Sequence, residues 1–302
     1  MKILIPIDQS VYSKVALQFI CGRCANFGKD SHFYVIHIRP QTFLGSLFER
    51  KGIEEALEEE AMDLLNPAVK QLQDAGLQAE AIYDVGNVPQ LIDDYAEKHD
   101  VDLIVMGSQG TSSVQGIIFG SVTNSLLALT YKPMLVLRDK AINFKDSPYI
   151  GLTVDGSMYS QTATDYLIKH MGFFGGRPRV YLMNVVERPA PGRDYPLEDQ
   201  VREEHKESIG EIFDEVESKL LKAGAECRKD ILTGNEPGDA IARFADKEDL
   251  DLIVIGTRGR GAIQSSLLGS TSSRIAAVSD RPLLIVQTDE DAVAKKEQKQ
   301  KS

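Results

Sequence analysis

Two short stretches of this sequence combine glycines and hydroxyls at a spacing suited to gripping an anion. The first reads Gly107-Ser-Gln-Gly110, then nine residues, then Gly120-Ser121; the second reads Gly256-Thr-Arg-Gly259, nine residues, then Gly269-Ser270. Glycine at the end of a strand lets the backbone turn sharply and approach a ligand with no Cβ in the way. Gly120 and Gly269 stand just before predicted helices, whose first N–H groups have no partner inside the helix and face whatever sits there. Ser121, Thr123, Ser270 and Ser272 add hydroxyls at the same end. The chemistry this suggests is phosphate binding through main-chain amides. One such glycine pair would read as a strand end and a turn. Two copies at the same spacing favour a binding loop, although duplication alone can preserve a spacing, so the copies are not independent witnesses.

The elements that must position these loops repeat once along the chain. Lys2-Ile-Leu-Ile-Pro-Ile-Asp8 has a counterpart in Tyr149-Ile-Gly-Leu-Thr-Val-Asp155, an offset of 147 (155 − 8). Val101-Asp-Leu-Ile-Val-Met-Gly107 has one in Leu250-Asp-Leu-Ile-Val-Ile-Gly256, an offset of 149 (256 − 107). A duplicated domain is the economical explanation. In each half, short apolar runs alternate with longer amphipathic stretches, the pattern of βα units around a mainly parallel sheet. The predicted strands are 2–7, 31–38, 78–84, 102–106 and 133–138, then 149–154, 179–186, 226–231, 251–255 and 282–287. The predicted helices are 12–27, 53–75, 88–98 and 121–130, then 159–171, 198–223, 238–247 and 270–278. This gives a first domain at 1–142, a second at 148–289, a polar join from Asp139 to Pro148, and a flexible polar tail at 290–302. The acidic run from Glu54 to Glu60 reads as a solvated helix face.

The totals narrow the classes of function. The 302 residues carry a formal net charge of −11, which argues against general nucleic-acid binding because phosphate backbones reward basic surfaces. A small anion in a local pocket remains compatible with that charge, since short-range dipoles outweigh a distant, screened one. No segment has the length of a membrane span, and the opening apolar run is too short for a signal peptide. With three cysteines and no disulfide framework, a cytoplasmic address is expected. Cys21-Gly-Arg-Cys24 has redox spacing but falls inside a predicted helix, not at a helix start where a thiolate is stabilised. No metal set has recognisable spacing, and His37 reads as a structural strand residue. A P-loop, a dinucleotide fingerprint after the first strand and a Ser/His/Asp constellation are all missing from the sequence.

The glycine pattern, together with the Asp8 and Asp155 strand ends, resembles the universal stress protein family over nearly the whole chain, twice. The resemblance implies two tandem Rossmann-like α/β domains. Each would hold a five-stranded, mainly parallel sheet in the order 3-2-1-4-5, with the ends of strands one and four side by side at a ligand-binding crevice. It also implies ATP, or AMP or ADP, as ligand, with magnesium arriving on the phosphates. Asp8 and Asp155 would lie beside the adenine, where helix capping or turn formation is the competing use. Ile38 and Val185 would offer backbone groups to its edge. Gly107, Gly110, Gly120, Ser121 and Thr123 would line the first sugar-phosphate site, with Met106 and Val122 beside them as cofactor-binding candidates. Gly256, Gly259, Gly269, Ser270 and Ser272 would line the second, with Ile255 and Thr271 beside them and, from the residues themselves rather than the resemblance, Arg258 and Arg260 as further cofactor-binding candidates.

The halves differ where Arg258 and Arg260 replace Gln109 and Thr111, so the second is expected to hold a triphosphate more tightly and the first to bind weakly or take a different ligand. The competing reading leaves both arginines in water. Thr153 likewise stands where the first half has Pro6. The family implies stress adaptation and dimerisation through fifth strands, hence a homodimer or an internal pseudo-dimer. A non-enzymatic nucleotide-responsive module is the leading reading. The competitors are a slow ATPase or phosphotransferase, with Arg258 and Arg260 stabilising charge, and a lipid or small-molecule binder built on Ile117-Ile118-Phe119 and Phe43-Leu44.

Overall fold

The computed structural model describes residues 1–41, 51–109, 119–138, 144–186, 198–257 and 269–288. They fall into two compact units, Met1–Ile142 and Asn143–Ala294. In the first unit, β1 (Lys2–Pro6), β2 (His32–Pro40), β3 (Gln78–Gly86), β4 (Leu103–Gly107) and β5 (Met134–Leu137) form a parallel sheet in the order β3-β2-β1-β4-β5. They alternate with α1 (Val11–Cys21), α2 (Lys51–Asp74), α3 (Val88–Lys98) and α4 (Ser121–Leu129). In the second unit, β6 (Tyr149–Thr153), β7 (Arg179–Val186), β8 (Glu226–Thr233), β9 (Leu252–Gly256) and β10 (Leu283–Val286) repeat that order as β8-β7-β6-β9-β10. Its helices are α5 (Met158–Lys169), the single turn α6 (Met171–Phe174), α7 (Glu198–Lys222), α8 (Pro237–Lys247) and α9 (Ser270–Val278).

The central strands are apolar along their buried middles because helices cover both sheet faces. Leu103, Ile104 and Val105 are all fully buried, as are Leu252, Ile253 and Val254. Helix α1 packs beside α2 and α3 beside α4, which follows from right-handed crossovers that reverse direction at β1. That reversal opens the crevice. β1 pairs with β2 along its whole length but with β4 only at Ile3 and Leu4, so the C-terminal ends of β1 and β4 part. β6 and β9 likewise pair only from Ile150 to Leu152.

The returns from helix to strand repeat as well. Gly76 and Gly224, at φ +85° and +95°, end α2 and α7, where the left-handed conformation suits glycine. Asp100 and Asp249, at φ 49° and 50°, do the same after α3 and α8. The following N–H of Val101 and Leu250 reaches back to the carbonyl of Ala96 and Ala245 at 3.0 and 2.9 Å.

One predicted helix is too long. The segment expected as 12–27 ends at Cys21, capped by Gly22, and Cys24–Asn26 form a separate 3₁₀ turn. The Cys21/Cys24 pair therefore straddles a helix C-terminus instead of lying inside a helix, and that end disfavours a thiolate. Burial pushes the Cys21 thiol pKa up further. The acidic run is solvated as expected, with Glu54, Glu55, Glu58, Glu59 and Glu60 all exposed on α2.

Candidate functional site

At the crevice of the first unit lies a cleft of about 340 Å³. Chain segments far apart in the sequence build its walls, among them Asp8 after β1, Ile38 on β2, Met106 and Gly107 at the end of β4, and Gly120 to Thr123 at the start of α4. The remaining surface is mainly apolar, with Val88 and Ile92 from α3 and Pro40 from the end of β2. Sequence reasoning did not single out these three. Val88 and Ile92 sit four apart on a helix, an apolar stripe that could have flagged them.

Asp8 is held by the start of α1. Its Oδ1 accepts from the Ser10 N–H at 3.0 Å and the Ser13 hydroxyl at 2.8 Å, while the Asp8 N–H donates to Ser13 Oγ at 2.8 Å. The helix cap itself is Ser10, whose hydroxyl accepts from the Ser13 N–H at 3.4 Å. Asp8 thus folds the turn and also reaches the cleft. In the second unit Asp155 Oδ1 accepts from the N–H and the hydroxyl of Ser157, at 2.9 and 2.6 Å, and Ser157 caps α5.

The glycine before each site helix is a bare N-cap. Gly120 and Gly269 have extended φ/ψ of −60°/159° and −60°/156°, and neither cap supplies a side-chain hydrogen bond. The Gly120 N–H ties to the Ser108 carbonyl at 2.8 Å and the Gly269 N–H to that of Thr257 at 2.7 Å, so the cap of each site helix is fastened to its strand end by the same bond. The first intrahelical bonds come from Asn124 to Gly120 and from Ser273 to Gly269. Helix geometry leaves the N–H groups of Ser121, Val122 and Thr123, and of Ser270, Thr271 and Ser272, directed out of the helix start.

Two expectations about this site need correction. Gly107 and Gly256 were expected to make room for a ligand, but the space of their missing Cβ is filled by the protein. A Cβ on Gly107 would lie 2.3 Å from Tyr12 Cβ, and one on Gly256 would lie 2.7 Å from the Tyr159 carbonyl oxygen. These glycines let α1 and α5 press onto the ends of β4 and β9. The hydroxyls of Thr123 and Ser272 were expected to face phosphates. Both side chains are buried, 1% and 2% exposed, and turn back to the carbonyls of Gly107 (3.5 Å) and Gly256 (3.1 Å). Only their main-chain amides remain suitable donors. Ser121 and Ser270 are exposed at the helix start.

Gly110, Arg258, Gly259 and Arg260 lie outside the described residues, as do Ile117, Ile118, Phe43 and Leu44. Phe119 is packed in the core at 2% exposure, under the Arg138 guanidinium. In the second unit Ile255 is buried and Val185 half-buried, at positions matching Met106 and Ile38. His37, read as structural, lines the first cleft, and its Nδ1 meets the Ile7 carbonyl at 2.9 Å. Among the described residues no three His, Cys, Asp or Glu side chains are grouped to hold a metal ion. Nor, among them, is any helix long and apolar enough to cross a membrane.

The sequence model of the "Universal stress protein family" matches this chain twice, at residues 1–138 and 149–287. The chain belongs to the universal stress protein family. Among curated universal stress proteins, MJ0577 of Methanocaldococcus jannaschii is 30% identical over 156 residues, spanning 46% of this chain and 95% of that protein. Rv2623 of Mycobacterium tuberculosis is 24% identical over 305 residues, spanning 94% of this chain and 96% of that one. The crystal structure of a universal stress protein from Archaeoglobus fulgidus superposes with a TM-score of 0.71 at 21% identity, covering 95% of this chain and 98% of its own. The tandem arrangement of two universal stress protein domains therefore extends across the chain, with the α/β fold and strand order expected from the sequence.

Proposed function

We propose that this protein binds adenine nucleotides, ATP foremost, in the crevice of each domain and acts as a nucleotide-responsive stress-adaptation module. The observation that carries this reading is the convergence of Asp8, Ile38, Gly107 and the first turn of α4 on one cleft with an apolar wall. A cleft of about 340 Å³ falls in the size class of small-molecule sites. Its apolar surface from Val88, Ile92 and Met106 suits a flat heteroaromatic base, and Asp8 suits an exocyclic amine at the base edge. The amides of Ser121, Val122 and Thr123 suit phosphate oxygens, because a helix start offers both donors and a favourable dipole. A divalent ion such as magnesium would arrive on the phosphates and keep water ligands, as that ion commonly does.

Occupancy would tie the α4 start to the ends of β1 and β2, and so convert a nucleotide level into a local ordering of surface. In the second domain we propose the same ligand, held more tightly because Arg258 and Arg260 supply guanidinium groups to the triphosphate. Native mass spectrometry of the freshly purified full chain, followed by calorimetric titration with ATP, tests the proposal. Two equivalents of adenine nucleotide, with the tighter one weakened by Arg258→Ala, are expected. A chain that emerges ligand-free and takes up no ATP at millimolar concentration refutes it. Steady multiple turnover abolished by Arg258→Ala would instead make the protein an ATPase.

A further inference from the structure

The two domains carry different residues that make one and the same bond at the mouth of the crevice. Along β2, even-numbered residues turn their main-chain N–H and C=O toward β1. The His32 N–H donates to the Met1 carbonyl at 2.9 Å, and the Ile36 carbonyl accepts from the Ile7 N–H at 2.8 Å. Odd-numbered residues face β3, as the Gln41 N–H to Gly86 bond shows. Ile38 therefore directs both groups toward the line of β1. That strand has already ended at Pro6, and the chain has turned off at Asp8, whose N–H goes to Ser13.

Continuing the ladder would deliver the Ile7 carbonyl to the Ile38 N–H. Instead the imidazole of His37 takes that carbonyl at 2.9 Å. Since a carbonyl only accepts, Nδ1 carries the proton. In the second domain the Val154 N–H donates to the Met183 carbonyl at 2.9 Å, so odd-numbered residues of β7 face β6, Val185 among them. There the Val154 carbonyl accepts from the Asn184 side-chain amide at 2.5 Å. His37 and Asn184 correspond, 147 residues apart (184 − 37), and so do Ile7 and Val154. The two halves have diverged at this residue and kept its hydrogen bond.

We propose that His37 and Asn184 are positioning residues. Each occupies the carbonyl at the end of its domain's first strand, which keeps the N–H of the next residue, Ile38 or Val185, for an acceptor nitrogen on the edge of the bound base. The inference rests on the nucleotide reading above and adds a determinant of base recognition to it. One main-chain N–H given to a base nitrogen is worth about tenfold in affinity.

The test uses the full chain, ¹⁵N-labelled, titrated with ATP and with 1-deaza-ATP, which lacks the ring nitrogen at N1. The amide resonances of Ile38 and Val185 report each site separately. Wild type is expected to prefer ATP about tenfold at Ile38. His37→Ala is expected to reduce that preference to within about twofold, and His37→Asn, the residue of the second domain, to restore it. Preference retained by His37→Ala, or lost equally in His37→Asn, overturns the positioning role. Hydrogen exchange in ligand-free wild type is a second measurement that needs no variant. The Ile38 amide should exchange on the order of 10²-fold faster than that of Ile36, and equal protection overturns the proposal. Failure of wild type to bind either nucleotide overturns the nucleotide reading and the ligand half of this proposal with it, while the exchange rates still decide whether Ile38 is released.

Discussion

Gly107→Ala is the sharpest test of how α1 is seated. The added Cβ would stand 2.3 Å from Tyr12 Cβ, 2.9 Å from its carbonyl carbon and 3.0 Å from its carbonyl oxygen. Against an ordinary minimum of 3.4 Å the deepest overlap is 1.1 Å (3.4 − 2.3), and two of the three atoms are backbone. No rotamer of Tyr12 relieves this, and Tyr12→Ala leaves the same Cβ in place. The helix start must move, carrying with it Ser10 and Ser13, which hold Asp8. Overpacking of this kind costs about 2–3 kcal/mol, or roughly 5–10 °C in the melting of a domain this size. Far-UV circular dichroism in urea, with tyrosine fluorescence as the second probe because the chain has no tryptophan, measures the loss. ATP titration should show first-domain affinity falling on the order of tenfold as Asp8 is displaced. Gly28→Ala is the control, since nothing lies within 4 Å of its would-be Cβ. A Gly107→Ala protein as stable as that control, with unchanged binding, would refute the close-approach explanation. Gly256→Ala, facing the Tyr159 backbone at 2.7 Å, should repeat the effect in the second domain.

Three further outcomes are expected. Asp8→Ala removes the acceptor for Ser10 and Ser13 and should cost about 1–2 kcal/mol of stability, along with most first-site nucleotide affinity; calorimetry on the variant checks both. His99 is packed between Tyr34 (4.3 Å) and Tyr95 (6.0 Å), and burial, then Lys98, lower its pKa below 6.5. The unfolded chain therefore binds more protons, so this contribution is present above pH 6.5 and is lost as pH falls through the lowered value. Urea midpoints between pH 7.5 and 5.0 should fall less in His99→Gln than in wild type, and identical slopes would contradict the assignment. The Cys227 thiol is pushed up to about 11 by burial, with Glu217 adding to it. Its alkylation at pH 8 should be slow in the native chain and rapid in urea, as peptide mapping would show.

Much of this architecture was legible because it rests on period and repetition. Runs such as Leu103-Ile-Val-Met106 mark strands covered on both faces, and the repeat at 147–149 residues fixes two copies of one topology. The helix predicted to 27 failed where Gly22 and a 3₁₀ turn end α1 at Cys21, a local preference that apolar periodicity does not register. Within the site, position was easier to read than purpose. The spacing marked Gly107 and Thr123, yet only three dimensions show that Tyr12 fills the space above the glycine and that the threonine hydroxyl turns inward. Val88 and Ile92 escaped notice because an apolar stripe on a helix reads as core until a cleft is found beside it. His37 was legible as a strand residue, but its bond to Ile7 depends on which strand lies alongside, and that is a property of topology.

The most direct measurement is a crystal structure of the full chain grown with a non-hydrolysable ATP analogue at saturating concentration. The base should lie against Val88, Ile92 and Met106 with its edge at Asp8 and Ile38, and the phosphates at the amides of Ser121 to Thr123. A first cleft empty under those conditions, or an analogue seated away from the α4 start, would contradict the assignment.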